Sequence, residues 1–464
     1  MDRRELLTLG GIVGGAGLLG VGVYVSREPG PAPTEQAPPS AEPADRGPTG
    51  SDFDTVVDAV AEGADPTGEE PVTALLEEVA ADGTLVEFEP GTYRVDVLTL
   101  TGLTLFGLVG TGDEPATFIP DLGDCRGGRP WLFFEGITDL LIENVDFDIT
   151  DSGGALHLFC RGDSALRDVS YQGTCSNQLA VCRIEVRDEN GSAFVSGFDA
   201  DNVDEGETVT GVYVGEQHAG ELTFHDCSMS SFSDNGLYAS APGGPNGHDG
   251  VVHVRGGTYT NNNIAGVRLG STGATATDVQ VTVNGNTPGW DRRNARGIRL
   301  RNKADQVIDG CDLDFAAGAA DSFGAIVFHQ ENGGALVRDT NVTMDRDGVP
   351  AIRTFSAADP NADPPVFENL HIEGSAEDGM TAQIEGRDGT VFDSCQIDQQ
   401  AAGRGGLSFV DSADCRIVDS ELTVDVDAVV VENGSVILEN TQVRTADGEE
   451  FFEERQLTNE RLEL

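Results

Sequence analysis

The chain has 464 residues, with 80 acidic side chains against 28 basic ones and a formal net charge of −52 at pH 7. A surface this acidic repels a phosphate backbone, which proteins normally meet with a basic patch, so nucleic acid is not an expected partner. Regular apolar alternation within 38% hydrophobic residues argues against an acidic disordered chain, and the length fits one solenoid as readily as two or three average domains.

At the N-terminus, Met1-Asp2-Arg3-Arg4-Glu5 leads into an uncharged, Gly-rich apolar run over 6–25. Residues 1–26 resemble a twin-arginine export signal, an address read by a receptor. Twenty apolar residues also suffice to span a bilayer, so cleaved signal and retained anchor both stay open, and this segment is the only membrane contact expected. The first cysteine is Cys125, so no lipid-modified cysteine follows the run. Residues 27–51 are rich in Pro, Ala, Glu and Gly, the composition of a semi-rigid tether. Over 71–81, after an acidic start, Val72, Leu75, Leu76 and Val79 share one face of an amphipathic helix that would cover an exposed first coil.

From residue 142 a six-residue pattern returns: apolar, polar, Asp/Asn/Gly, small or apolar, polar, apolar. It reads IENVDF from Ile142, LRDVSY from Leu166, FHDCSM from Phe224, VRGGTY from Val254, ATDVQV from Ala276 and IDGCDL from Ile308. It goes on as VRDTNV from Val337, FENLHI from Phe367, FDSCQI from Phe392, IVDSEL from Ile417 and LENTQV from Leu438. Copies lie 21 to 32 residues apart, except for one gap of 58 that holds two turns. A short alternating strand with a small residue able to take left-handed geometry at a bend is what one turn of a parallel β-helix requires. The spacing is too short for the four-stranded blades of a propeller. About twelve coils are expected, at ~4.8 Å each.

The Gly63–Gly68 turn (Gly-Ala-Asp-Pro-Thr-Gly), the helix after it, and a strand ending in Glu89-Pro90-Gly91-Thr92-Tyr93 resemble the N-terminal cap of the pectate-lyase-like superfamily. With the repeats, the resemblance covers about 53–445. It implies an all-β fold, a single right-handed parallel β-helix with an N-terminal capping helix over 52–445. It leaves the activity open among lyases, glycoside hydrolases, tailspikes and proteins of no known reaction. The acidic tail, 446–464, is expected to cover or fray from the last coil. Lys303 is the only lysine beside 27 arginines, which resembles the proteins of haloarchaea; at molar salt the Debye length is ~3 Å and surface carboxylates no longer repel one another.

Cys227, Cys311 and Cys395 fall in one column of the repeat, three coils apart, too far to pair. They read as small buried fillers. Cys125, Cys160, Cys175 and Cys182 lie closer together, with room for one or two bridges in an exported chain.

The second strand of each coil aligns on a motif whose third position faces outward by alternation. Down the rod that file reads His157, Tyr213, Tyr238, Arg268, Arg299, Val327, Arg353, Gln383, Ser408, Val430, with Ser240, Arg301, His329 and Glu385 in the next outward file. Loops over 240–249 and 284–295 flank it, the second carrying Trp290, Arg292 and Arg293. Six of the 28 basic residues lie between Arg292 and Lys303. Arginine matches carboxylates bidentately, so an acidic polysaccharide or surface glycan is the expected partner. Tyr213, Trp290, Arg292, Arg293 and Arg301 would bind it, and Tyr238, Arg268, Arg299, His329 and Arg353 are the candidates for chemistry. β-Elimination on uronates suits these residue types: an arginine offsets the carboxylate, a Tyr, His or second Arg takes the proton, and Tyr238 or His329 protonates the leaving oxygen. Asp234, Asp249 and Asp291 are candidate Ca²⁺ ligands or ordinary loop acids. Two rivals stand beside the lyase: a non-catalytic glycan-binding surface protein, and a polygalacturonase-like hydrolase, whose last two motifs are only faintly matched by Gly247-His248-Asp249-Gly250 and Gly297-Ile298-Arg299-Leu300-Arg301 and whose earlier carboxylates have no match.

Overall fold

The six-residue pattern acts first at its third position. In all eleven copies that residue takes the left-handed conformation, with φ between 48° and 64°. Eight copies place Asn or Asp there, which tolerate that region, two place Gly and one places Ser394; at Gly256 a Cβ would sit 2.1 Å from Asp226 Oδ1. The bend turns the chain from one strand into the next without breaking the in-and-out alternation.

The computed structural model describes residues 47–121, 130–150, 154–173, 180–202, 209–285 and 294–462. It is a right-handed parallel β-helix of about 12 turns with three stacks of strands. In mid-rod, Val251–Arg255, Thr258–Thr260 and Ala265–Leu269 make one coil. Each pairs in parallel with its counterpart in the next coil, Thr275–Thr277, Gln280–Val283 and Ala295–Leu300. Tyr171 pairs with Ala200 and Ala200 with Met229, so the 58-residue gap contains one further coil, bent at Gly197 (φ 60°).

The first, fourth and sixth positions of the pattern point inward and stack into one continuous core. The fourth position sits just after the bend and favours a small donor. Cys227, Cys311 and Cys395 thiols contact the carbonyls of His225, Asp309 and Asp393 at 3.4–3.5 Å, as the Thr340 and Ser420 hydroxyls do with Arg338 and Val418 at 2.8 and 2.7 Å. The three cysteines therefore act as buried hydroxyl equivalents, and burial pushes each thiol up to about 12. Cys160 and Cys182 are also free and buried. No bridge joins them, because Cys182 sits opposite Leu156, four residues before Cys160 along the neighbouring strand. Cys125 and Cys175 lie outside the described residues.

The expected helix forms as α1 (Thr73–Val79), two residues shorter at each end, its start set back because Thr67–Pro71 is a strand. Val72 and Leu76 are buried, with Leu75 and Val79 packed against the core. Upstream, the described chain already lies on the rod. Pro48 is buried, its carbonyl accepts from Arg167 Nη1 at 2.9 Å, and Phe53 joins Leu85, Leu141 and Ala165 in a second small core. At the other end the acidic tail covers the last coil. Glu449–Thr458 pairs antiparallel with Ser435–Arg444, and Arg461–Leu462 with Val429–Glu432, so Phe452, Leu457 and Leu462 complete the core. Among the described residues no helix is long and apolar enough to cross a membrane; the 1–26 segment lies outside them, as does most of the tether.

His218 makes this scaffold sensitive to acid. It is fully buried; Nδ1 accepts from the Val186 N–H at 3.1 Å, and Nε2–H donates to the Val251 carbonyl at 3.1 Å. Only the neutral ring fits, and burial lowers its pKa to about 4. An unfolded histidine titrates near ~6.5, so the unfolded chain takes the proton first as pH falls. Stability from this group is complete above ~6.5 and is lost as pH falls through that value toward 4. His218→Gln should remove this contribution from a stability–pH profile followed by denaturant midpoint; an unchanged acid limb would contradict the assignment.

Candidate functional site

The third stack places the outward file in strict register. Paired residues run His157, Arg183, Tyr213, Tyr238, Arg268, Arg299, Val327, Arg353, Gln383, Ser408, Val430. Arg183 belongs to the coil that the repeat alignment passes over. It reaches across its neighbours, with its guanidinium 5.3 Å from the Tyr213 ring and 2.6 Å from Glu185. Tyr213 and Tyr238 meet edge to face at 5.1 Å, and the Arg268 guanidinium lies over the Tyr238 ring at 3.8 Å. Burial, then Glu216, raises the Tyr213 hydroxyl pKa.

The arginines that follow differ from an ordinary surface ladder. Arg268 and Arg299 point away from the core yet are each only 8% exposed. Among the described residues neither they nor Arg296 and Arg353 make an ion pair. The Nε atoms of Arg268, Arg296 and Arg299 have no hydrogen-bond partner among the described residues. Burial lowers the pKa of all four arginines, and in Arg296 and Arg299 their cationic neighbours lower it further. In a chain with 80 acidic residues, this cluster is short of counter-charge. Aromatic rings supply part of its lining: Arg296 and Arg353 lie 4.6 and 5.2 Å from the Phe323 ring, and Arg353 also 5.2 Å from Phe355.

Asp234, just before Asn235–Ala239, accepts from Thr210 Oγ1 and Asn235 Nδ2, both at 2.9 Å. Burial raises its pKa, against the pull of Thr210, Arg268 and Arg299. Asp249 accepts from Thr272 N–H and Oγ1 at 3.0 and 2.8 Å and stands 3.8 Å from Lys303. Both carboxylates are thus engaged by protein donors, and among the described residues no group of three or more carboxylate, His or Cys side chains forms a metal cage. Trp290, Asp291, Arg292 and Arg293 lie outside the described residues.

In the next outward file, Arg301 Nη2 donates to Glu331 Oε1 at 2.8 Å, and His329 Nδ1 bonds Glu331 Oε2. Burial would raise Glu331, but His329 and Arg301 outweigh it and hold the carboxyl down at about 2. Arg387, two coils farther on, fixes this corner from behind. Its Nη2, Nη1 and Nε donate to the carbonyls of His329, Asn332 and Phe355 at 2.9, 2.8 and 3.0 Å. Arg183, Arg296 and Arg387 are absent from the sequence-based candidates. Arg183 was within reach of the motif, since Ala180-Val181-Cys182-Arg183 repeats its spacing; Arg387 acts through a loop that no pattern marks.

No family model matches the chain, and no curated protein matches it in sequence. Solved structures share its architecture. PfbA, a surface adhesin of Streptococcus pneumoniae, aligns over 85% of this chain and 94% of its own, with a TM-score of 0.48 at 11% identity. The A-module of the Azotobacter vinelandii mannuronan C-5 epimerase AlgE6 covers 78% of this chain and 98% of its own, at 0.36 and 14%. The catalytic unit of a Streptomyces thermodiastaticus α-1,3-glucanase covers 82% and 68%, at 0.33 and 15%. The likeness is one of fold, the right-handed parallel β-helix.

Proposed function

We propose that this protein is an exported cell-surface β-helix that grips an acidic polysaccharide along its third stack and cleaves uronate linkages by β-elimination. The observation that carries the reading is the cluster of buried Arg268, Arg296 and Arg299 with half-buried Arg353 beside it, none of them in an ion pair among the described residues of a chain of net charge −52. A buried cation without a partner is costly, and a ligand carboxylate relieves it through charge-assisted, bidentate hydrogen bonds. Partial burial also suits molar salt, where exposed charges are screened and enclosed ones much less so. Half-buried Tyr238 extends the face with a ring beside Arg268, and Tyr213, 5% exposed, supports it edge to face. Trp290, Arg292 and Arg293 would add to it from the flanking loop, and a Ca²⁺ bridging Asp249, Asp291 and the ligand remains part of the proposal. The twin-arginine segment would deliver the protein outside and serve as its only tie to the membrane.

Hydrolysis is the weaker alternative. An inverting pair of carboxylates stands ~6.5–9.5 Å apart. Asp234 precedes its strand and Glu331 follows a strand three coils away, so the coil rise alone separates them by ~14 Å. A non-catalytic binder keeps the same arginine face and differs only in the product test below.

The experiment is binding of polyuronates and neutral glucans to the full chain in molar salt, for the wild type and Arg299→Ala, with circular dichroism as the folding control. Losing one charged hydrogen-bonding partner costs ~1.5–3 kcal/mol, so polyuronate affinity should fall about 10- to 100-fold while glucan binding stays negligible. Equal affinity for neutral glucans, or an Arg299→Ala protein that binds polyuronate as tightly as the wild type, would overturn the reading.

A further inference from the structure

The corner occupied by His329 has the construction of a general base. The residue follows Ser322–Phe328, and the pairings of Leu300 with Phe328 and of Phe328 with Thr354 put it between Arg301 one coil back and Phe355 one coil on. Its Nδ1–H is held by Glu331 Oε2, a carboxylate itself fixed by Arg301. The Phe355 ring lies 5.7 Å away, and Arg387 clamps the His329 carbonyl. A carboxylate on one ring nitrogen sets the tautomer and leaves the other nitrogen with its lone pair. Nε2 has no hydrogen-bond partner among the described residues, and the side chain is 24% exposed.

We infer that His329 Nε2 is the base that takes the C5 proton of a bound uronate, with Glu331 as its positioning residue and Arg299 on the sugar carboxylate. This rests on the polyuronate reading above. Arg299, with its unpartnered Nε, lies in the file beside His329, one coil back. There it offsets the carboxylate charge as the C5–H bond weakens.

The surroundings also set the stereochemistry. The charged groups facing the His329 ring are Glu331, Arg299 and Arg301, with Arg387 behind the backbone. Glu331 is committed as an ionised acceptor; burial and cationic neighbours lower Arg299 to about 8, and a sugar carboxylate bound against it favours its protonated form. Tyr238 is three coils away, ~14 Å by coil rise, too far to serve the same sugar. The proton that His329 removes is therefore the one at hand for the leaving oxygen. The C5–H bond breaks and its proton goes to Nε2; the electron pair left on C5 forms the C4=C5 bond; the C4–O4 bond breaks and its pair leaves on O4; O4 takes the proton from Nε2–H. The imidazole ends neutral and no co-reactant is consumed. One group can do this only when H5 and O4 lie on the same face of the ring, as in 1,4-linked mannuronate and glucuronate. In galacturonate they lie on opposite faces.

The test uses the full chain in molar salt with polymannuronate, polyglucuronate and polygalacturonate, following the ultraviolet absorbance of the unsaturated uronate. Product is expected from the first two and not from the third. His329→Ala should lose about 10²–10⁴-fold in turnover while still binding polymer, which also reports that it folds. Burial, Arg299 and Arg301 lower the histidine pKa, against the pull of Glu331, so turnover should reach its plateau below the usual histidine range. Glu331→Gln, which removes the carboxylate, should move that limb to still lower pH and reduce kcat more than it raises KM. Wild-type binding without unsaturated product, product chiefly from polygalacturonate, or full activity in His329→Ala would each overturn the base assignment and leave the gripping face standing. Absence of polyuronate binding would overturn both.

Discussion

Phe392→Ala is expected to lower stability by about 3–5 kcal/mol, the usual cost of emptying a large aromatic site in a packed core. The Phe392 ring is fully buried, stacks on Phe367 at 4.5 Å with planes 19° apart, and meets Phe409 edge-on at 6.1 Å. Phe367 in turn packs edge to face against Phe328 at 5.7 Å. In a solenoid each coil is held only by its neighbours, so a cavity here loosens the coils on both sides and no distant part of the core compensates. Denaturant midpoints in high salt measure the effect. Phe451, 49% exposed on the closing strand, is the control, with a change to alanine expected within ~0.5 kcal/mol. Equal shifts for the two variants would show that the aromatic column is not what holds these coils.

Arg404→Met should be nearly as damaging, although it replaces a charge with an apolar chain of similar length. Arg404 is fully buried; its Nε donates to Gln399 Oε1, Nη1 to the Asp378 carbonyl and Nη2 to the Val349 carbonyl, each at 2.9 Å. Burial lowers its pKa to about 10, so it stays charged at neutral pH. The guanidinium fork thus joins three turns of chain. Methionine removes all three bonds, at ~1–3 kcal/mol for each buried group left unsatisfied, and a total loss of about 3–5 kcal/mol is expected. Arg404→Lys should recover less than half, because an ammonium cannot reproduce the planar fork. Full recovery by lysine in the same midpoint assay would mean that charge alone matters there.

The coil was legible in the sequence because its two determinants are local. A left-handed bend favours Asp, Asn or Gly at one position, and the alternation around it needs apolar residues at fixed offsets, so Asn144, Asp226 and Asn440 announce the same turn at widely separated points. Register along the third stack follows from the same counting, which puts Tyr238, Arg268 and Arg299 in one file, as their pairing does. Alternation gives a direction but not a depth. It showed Arg268 and Arg299 leaving the core, whereas their concealment depends on the rings and loops around them. Arg387 was invisible for a related reason: its partners are backbone carbonyls of His329, Asn332 and Phe355, and a carbonyl carries no residue type. The His329–Glu331 pair, two residues apart just past a strand, did leave a local signal, which the outward file alone had not picked up. The cysteines teach the opposite lesson. An even number of them in an exported chain suggests bridges, but in the fourth position of the repeat a thiol is interchangeable with the hydroxyls of Thr340 and Ser420.

The unshifted parallel pairing of the third stack from Tyr213 to Arg299 gives the protein a graduated edge. One side chain is offered per turn, at an interval fixed by backbone geometry and independent of what that side chain is. A whole turn added or removed would change how far apart two marks stand without altering either mark, so reach and chemistry can vary separately. Val327, a bare mark between Arg299 and Arg353, already doubles one interval in this way.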